Sequence, residues 1–207
     1  MKVSKISIAL ALLFVGGIAQ AQQKGKTQMD IQLNVGIPAG SLKETVTETS
    51  FRGAKVAVMY GLSNNLSVGF GSGYQDFYQK VPRQQYKLED GSDLSAVRSF
   101  SIQTIPLLAT VKYQFSPGSL VQPYAALGVG GNLVNYTDMA GQFSLENKAK
   151  FGFAARPEAG VMIPFKRGGD NGFNIGASYN IMPFNTSQFS NLNSIGVHAG
   201  VSIPLRK

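Results

Sequence analysis

The sequence contains no cysteine and no tryptophan, has a single histidine, and draws only 14% of its 207 residues from Asp, Glu, Lys and Arg. Without cysteine the chain can form no disulfide, which is compatible with export but does not prove it. No spacing of His, Asp and Glu suits a metal site, so we expect no cofactor. No stretch approaches the roughly 20 apolar residues of a membrane-spanning helix. Low charge together with 24 glycines fits a β-rich chain with few exposed helices.

The N-terminus has the three parts of a secretory signal peptide. Two lysines precede an apolar run at 6–18, and the small-residue sequence Ala-Gln-Ala follows at 19–21. The run is too short to cross a bilayer as a helix. We therefore predict that residues 1–21 are a cleaved signal peptide and that 22–207 form one exported domain. Loss of the two lysines lowers the formal net charge from +8 to +6.

The remaining basic excess suggests an acidic partner. Nucleic acid is one such partner, but an exported chain rarely meets it, so we expect no nucleic-acid binding. Anionic lipid or lipopolysaccharide at a membrane surface is the more natural partner. The simpler alternative is that the charge only keeps the loops solvated.

The segment at 100–134 shows the clearest organisation, with two alternating stretches joined by a tight turn. Apolar residues share one parity from Ile105 to Phe115, and polar residues hold the other, with Leu108 as the exception. A period of two is the signature of a strand with one apolar face. Ser-Pro-Gly at 116–118 supplies the turn, because proline fixes φ and glycine can adopt positive φ. One face is branched and aromatic and the other small or polar, which favours a small membrane barrel with a polar interior.

The same alternation recurs along the chain and predicts eight strands. They lie at 28–38, 53–62, 65–74, 101–115, 121–134, 151–165, 173–181 and 195–205. The connections after the odd-numbered strands are long and polar, whereas those after the even-numbered strands are short. An up-and-down barrel with both termini on one side has this arrangement, with short periplasmic turns and long outer loops. We therefore predict an all-β fold, an eight-stranded antiparallel up-and-down transmembrane β-barrel.

Two sequences in the central hairpin, TIPLLATVKYQF and VQPYAALGVGGNLV, resemble the fourth and fifth strands of a known family. This is the bacterial outer-membrane β-barrel domain family, which includes the OmpA-like and OmpW-like eight-stranded barrels. As a pattern, the resemblance covers about residues 26–205. It implies a monomer in the outer membrane of a Gram-negative-type bacterium, surrounded by outer-membrane lipid and lipopolysaccharide.

The lack of tryptophan requires the interfacial aromatic belts of such a barrel to use tyrosine and phenylalanine. Aromatic side chains of the apolar parity occur near both ends of the predicted strands. Those near the short turns are Tyr60, Tyr113, Phe115 and Phe165, and those nearer the loops are Phe70, Tyr74, Phe153 and Tyr179. We expect both groups to face the lipid interface.

If the apolar parity faces lipid, the polar parity fills the lumen. A possible charge network there comprises Asp30, Lys55, Lys112, Arg156, Glu158 and His198. Eight strands enclose an interior just wide enough for side chains, and charges held there must pair. One interpretation is a gated pore whose basic residues exchange carboxylate partners. The other is a static polar plug that fixes the barrel register, and we favour it because a lumen of this size is normally filled.

The single histidine raises the question of catalysis, because some small outer-membrane barrels are lipid-modifying enzymes. Such chemistry needs a nucleophile hydrogen-bonded to a base. His198 and Ser202 lie four residues apart, roughly 13 Å along a strand, and cannot touch. Ser178 on the neighbouring strand has nothing to mark it. We therefore predict that the chain is not an enzyme and that His198 is a hydrogen-bonding interior residue.

The predicted loop at 75–98 is where specific binding is expected, because binding residues concentrate on loops. Possible contacts to lipopolysaccharide phosphates or to an extracellular protein or ligand are Tyr78, Lys80, Arg83, Tyr86 and Lys87. The alternative is a solvated loop without a partner.

Three roles remain open from the sequence. We favour a structural or surface-interaction role without turnover, displayed on long extracellular loops. A narrow or gated pore for small solutes is the second. A soluble, secreted, lipocalin-like barrel that binds an apolar ligand inside is the third. That barrel needs the opposite parity, and the polar face here is too rich in glycine and too poor in Lys and Glu for a solvated surface.

Overall fold

Eight antiparallel strands form the structure, a computed structural model that describes residues 25–87, 93–141, 143–185 and 190–206. The strands are β1 (Thr27–Pro38), β2 (Ser50–Gly61), β3 (Leu66–Lys87), β4 (Asp93–Gln114), β5 (Gln122–Ala140), β6 (Phe143–Pro164), β7 (Gly172–Asn180) and β8 (Ser194–Arg206). One short helix, α1 (Leu42–Thr45), lies between β1 and β2. Within the described ranges no helix is long and apolar enough to cross a membrane. The predicted signal peptide at 1–21 lies outside the described residues.

The strands close into a barrel in which each strand pairs with its neighbours in the sequence. The ring is completed by β1 and β8, where Ile31 lies opposite Val201. Both termini therefore lie at the end that carries the β2–β3, β4–β5 and β6–β7 turns. The predicted all-β, up-and-down, eight-stranded topology is confirmed.

The apolar parity points away from the barrel. Leu33 is 75% exposed and Phe70 57% exposed, whereas Gln32 and Asn34 are each 6% exposed. A row of large apolar side chains on the outside, with polar ones inside, is the reverse of a soluble barrel and typical of one in lipid. The predicted lipid-facing parity is confirmed, and the lipocalin-like alternative is wrong.

The two predicted aromatic belts are exposed on the outer surface. Near the short turns, the rings of Tyr113 and Phe115 pack edge to face with their centroids 5.2 Å apart. Phe165 packs in the same way against Phe173, at 4.9 Å. Tyrosine and phenylalanine thus replace tryptophan at this interface, because an aromatic ring with an apolar body suits the headgroup level.

The strands differ greatly in length, and this corrects the predicted loops. β1, β2, β7 and β8 have 12, 12, 9 and 13 residues, close to the roughly 9–11 that a tilted strand needs to cross a membrane. β3, β4, β5 and β6 have 22, 22, 19 and 22 residues. They therefore rise beyond the other four, at the end opposite the termini.

The regions 75–98 and 135–150, predicted as long loops, are largely paired strand. Lys80 lies opposite Ser99, and Asn135 lies opposite Ala149. Only Gly141 and residue 142 separate β5 from β6. The prediction failed because a strand in water does not need an apolar face, so these hairpins lack the alternation that marks a lipid-facing strand.

Candidate functional site

The barrel interior contains two layers of different chemistry. The polar layer, between the short turns and the middle of the barrel, comprises Asp30, Lys55, Lys112, Tyr124, Arg156, Glu158, Asn174, His198 and Ser202. The apolar plug, towards the mouth opposite the termini, comprises Leu42, Val46, Phe77, Phe100, Ile102, Leu108, Val134, Tyr136, Ala154, Met182, Phe184 and Leu192.

Glu158 is the centre of one half of the polar layer. Lys55 reaches across the lumen from β2 and donates through Nζ to Glu158 Oε2 at 2.9 Å. The Tyr124 hydroxyl donates to Glu158 Oε1 at 3.1 Å, and His198 Nε2 lies 3.2 Å from the same oxygen. The Lys55 side chain is only 8% exposed and that of Glu158 14% exposed. At this burial a carboxylate needs such partners, because water does not stabilise its charge.

Asp30 is the centre of the other half. It accepts hydrogen bonds from Lys112 Nζ at 3.2 Å and from Ser202 Oγ at 2.6 Å. Lys112 Nζ also lies 4.6 Å from the centroid of the Tyr124 ring, a cation–π contact. Tyr124 therefore joins the two carboxylate centres, through its hydroxyl on one side and its ring on the other.

The circuit closes through Asn174. Its Oδ1 lies 3.0 Å from the Tyr124 hydroxyl, and its Nδ2 donates to Ser202 Oγ at 3.4 Å. Tyr124 and Ser202 are not part of the predicted charge network. Both lie on the polar parity of their strands, so this parity is the signal that could have identified them.

Arg156 differs from the other basic residues of the layer. Its Nε donates to Asn180 Oδ1 at 2.7 Å, and it forms no ion pair with a carboxylate within the described residues. The structure thus brings together Asp30, Lys55, Lys112 and Glu158 as two ion pairs and places Arg156 beside them with a neutral partner.

The apolar plug is built partly by the two connections at the mouth. Leu42 and Val46, from the β1–β2 connection, are fully buried there, as is Leu192 from the β7–β8 connection. The two connections are joined by Ser41, whose Oγ accepts hydrogen bonds from the backbone N–H groups of Ser190 and Asn191, each at 3.0 Å. The mouth is therefore closed by packed apolar side chains and by hydrogen bonds between the two connections.

The residues predicted as loop contacts all lie on strand β3 and not on a loop. Tyr78 is 40% exposed, and Lys80 and Arg83 are exposed on β3. Arg52 lies 5.8 Å from the centroid of the Tyr78 ring. The backbone of Tyr86 and Lys87 at the end of β3 pairs with Leu94 and Asp93.

The serine partner that a catalytic histidine needs is not found beside His198 among the described residues. The described serines make no hydrogen bond to either imidazole nitrogen, because Nε2 contacts Tyr124 at 3.1 Å and neither Nδ1 nor Ser178 Oγ has a partner. Ser202 is bound instead to Asp30. Among the described residues, no three His, Cys, Asp or Glu side chains are placed to hold a metal ion.

The chain matches one protein family and is similar in structure to known outer-membrane proteins. A family model described as the outer membrane protein beta-barrel domain matches residues 8–203. Neisserial surface protein A is similar in structure, with 16% identity, a TM-score of 0.56, and coverage of 86% of this chain and 94% of that chain. The outer membrane protein OprG from Pseudomonas aeruginosa is 12% identical, with a TM-score of 0.53 and coverage of 89% and 98%. No curated protein matches the sequence.

Proposed function

We propose that this chain, which belongs to the outer membrane protein β-barrel domain family, acts at the cell surface as a non-catalytic interaction barrel. The resemblance of the central hairpin to that family was correct, and family membership places the protein in the cell outer membrane. In this proposal the domain at 22–207 follows a cleaved signal peptide at 1–21 and acts as a monomer. The observation that carries the proposal is a filled lumen beneath an outer wall of four strands. This wall is formed by the parts of β3, β4, β5 and β6 that rise beyond the other four strands.

The filled lumen argues against transport. A solute crossing the barrel must pass both the apolar plug and the polar layer, where two buried ion pairs span the interior. Opening the polar layer separates buried opposite charges, which costs several kcal/mol for each pair. The narrow-pore alternative requires both layers to move, and the surface role requires neither.

The outer wall offers the basic and aromatic groups that an anionic surface attracts. The pairing of β2 with β3 ends where Gly53 lies opposite Gln75. Lys80 and Arg83 lie beyond this point on β3 and are exposed, and Arg52 of β2 lies against the exposed ring of Tyr78, which is also on β3. Basic side chains near an anionic membrane surface each contribute about 1 kcal/mol. We propose that this part of the wall contacts the phosphates of lipopolysaccharide.

Binding of purified lipopolysaccharide by the detergent-folded protein tests this role. We expect the double variant Lys80→Gln/Arg83→Gln to lose about thirtyfold in affinity, from two contacts of about 1 kcal/mol each. The double variant Lys166→Gln/Arg167→Gln is the matched control, since this exposed basic pair lies on the β6–β7 turn at the opposite end. Equal affinity of wild type and the β3 variant would reject the proposed contact.

Planar-bilayer recording separates the surface role from the pore. The folded barrel is expected to give no discrete conductance steps. Reproducible voltage-dependent openings in the wild type, lost when the ion pair between Lys55 and Glu158 is replaced by Met and Leu, would favour the pore.

A further inference from the structure

A small cavity lies inside the polar layer. Its volume is about 50 Å³, and its ionisable lining consists of Asp30, Lys55, Lys112, Arg156 and Glu158. Gly71 and Gly128 line this space, and a Cβ added to either would crowd another lining side chain, at 3.2 Å from Ala57 Cβ and at 3.1 Å from Leu108 Cδ1. Since a water molecule takes about 30 Å³ of the liquid, the cavity holds on the order of one or two species of that size.

The charges that surround the cavity do not balance. Three of the lining residues are basic and two are acidic. Nearer the mouth, Arg98 and Asp138 pair with each other, and near the turns Lys26 pairs with Asp170, so neither pair supplies the missing negative charge. The five ionisable lining residues therefore sum to a formal charge of +1. An uncompensated charge inside a barrel surrounded by lipid is costly, and water in the cavity solvates but does not neutralise it.

Arg156 supplies the free donors. Within the described residues its only hydrogen bond is the one from Nε to Asn180, so neither terminal amino group of the guanidinium donates to a protein acceptor. The same side chain lines the cavity, as does Thr110. A guanidinium presents its donors as a planar fork suited to an anion, and lysine ammonium groups add charge and further donors.

We propose that this cavity binds one small inorganic anion of the halide class. The Arg156 fork donates to the anion, and Lys55 and Lys112 contribute positive charge while keeping their carboxylate partners. Bound there, a monovalent anion brings the five ionisable lining residues to neutrality, which their unpaired donors and their +1 charge both favour. The cavity volume suits an anion of this size. This site lies in the lumen and is independent of any ligand on the outer wall.

Bromide is the probe, because it substitutes for chloride and can be located by anomalous diffraction. Crystals of the folded barrel grown in bromide are expected to show an anomalous peak in the cavity beside Arg156. The peak should be absent in Arg156→Gln and retained in Arg167→Gln, a matched change on an exposed turn. Bromide found only on the outer surface of the wild type would overturn the proposal.

A solution measurement tests whether binding occurs outside a crystal. A ligand that binds only the folded state raises the unfolding midpoint as its concentration increases. The midpoint of the wild type and of Arg167→Gln should rise when bromide replaces gluconate at constant ionic strength, and that of Arg156→Gln should not. If Arg156→Gln does not fold, Arg156→Lys, which keeps the charge but loses the fork, should show a weaker rise. Equal wild-type midpoints in the two salts would mean binding at crystal concentration only, and would overturn the proposal.

Discussion

The polar layer and the apolar plug share one barrel but are stabilised in different ways. In the polar layer, the side chains come from strands and meet specified partners, either on a neighbouring strand, as Ser202 meets Asp30, or across the lumen, as Lys55 meets Glu158 at 2.9 Å. In the plug, side chains from strands and from two connections are stabilised mainly by apolar packing, and Leu42 and Leu192 are fully buried there. A directional contact fails when one partner is removed, whereas apolar packing loses stability in proportion to the volume removed.

This difference suggests a division of roles within the lumen. A shift of one residue in strand register moves every inward side chain to the lipid face, so paired charges in the polar layer penalise a slipped register strongly. The plug is made of apolar residues, which form no such ion pairs, and its side chains need only to fill the space at the mouth. We therefore expect mutations in the polar layer to affect folding of the whole barrel and mutations in the plug to act locally.

The largest effect is expected when the polar layer loses a carboxylate. Glu158→Gln removes the charge that compensates Lys55, and breaking a buried ion pair in this way costs about 3–5 kcal/mol. Unfolding in urea, followed by the heat-dependent migration of the barrel on gels, measures the loss. Lys55→Met combined with Glu158→Leu should recover part of it, and Glu48→Gln on the exposed β1–β2 connection should change little. A Glu158→Gln barrel as stable as the wild type would contradict the proposed importance of charge pairing.

A smaller and local effect is expected in the plug. Leu42→Ala leaves a cavity beneath the mouth and costs about 2 kcal/mol or more locally. Because Leu42 belongs to a connection and not to a strand, we expect faster proteolysis of the β1–β2 connection with little change in unfolding of the barrel. Leu62→Ala, at a leucine 46% exposed on the β2–β3 turn, is the control. Global destabilisation comparable to that of Glu158→Gln would remove the distinction between the two layers.

The smallest effects are expected from two buried serines, one with a hydrogen-bond partner and one without. Ser202 Oγ donates to Asp30, whereas Ser178 Oγ is buried without a partner in the described part of the chain. Ser202→Ala should cost about 1.5 kcal/mol, the lower end of the usual range for a hydrogen bond to a charged group, and Ser178→Ala should be nearly neutral. Equal costs for the two substitutions in urea unfolding would show that the hydrogen bond to Asp30 is not what stabilises the layer.

The sequence predicted the membrane-spanning part well because its residues face two solvents of opposite chemistry. The alternation around Leu33 and Phe70 established which face meets lipid, and it placed Asp30, Lys55, Lys112 and Glu158 inside. Leu108, the exception on its strand, is explained by the plug, where it is 2% exposed. The paired strands within 75–98 and 135–150 were predicted as loops because strands beyond the membrane need no such alternation.

The sequence by itself determined the number of strands, their order and their orientation, because a period of two follows from strand geometry alone. Only the tertiary structure decided which inward side chains meet. Lys55 and Glu158 are 103 residues apart in the chain, and their contact depends on the closure and register of the barrel. The same closure places Arg156 beside a cavity, without a carboxylate among the described residues as its ion-pair partner. The position of each donor and acceptor depends on strands far away in the sequence.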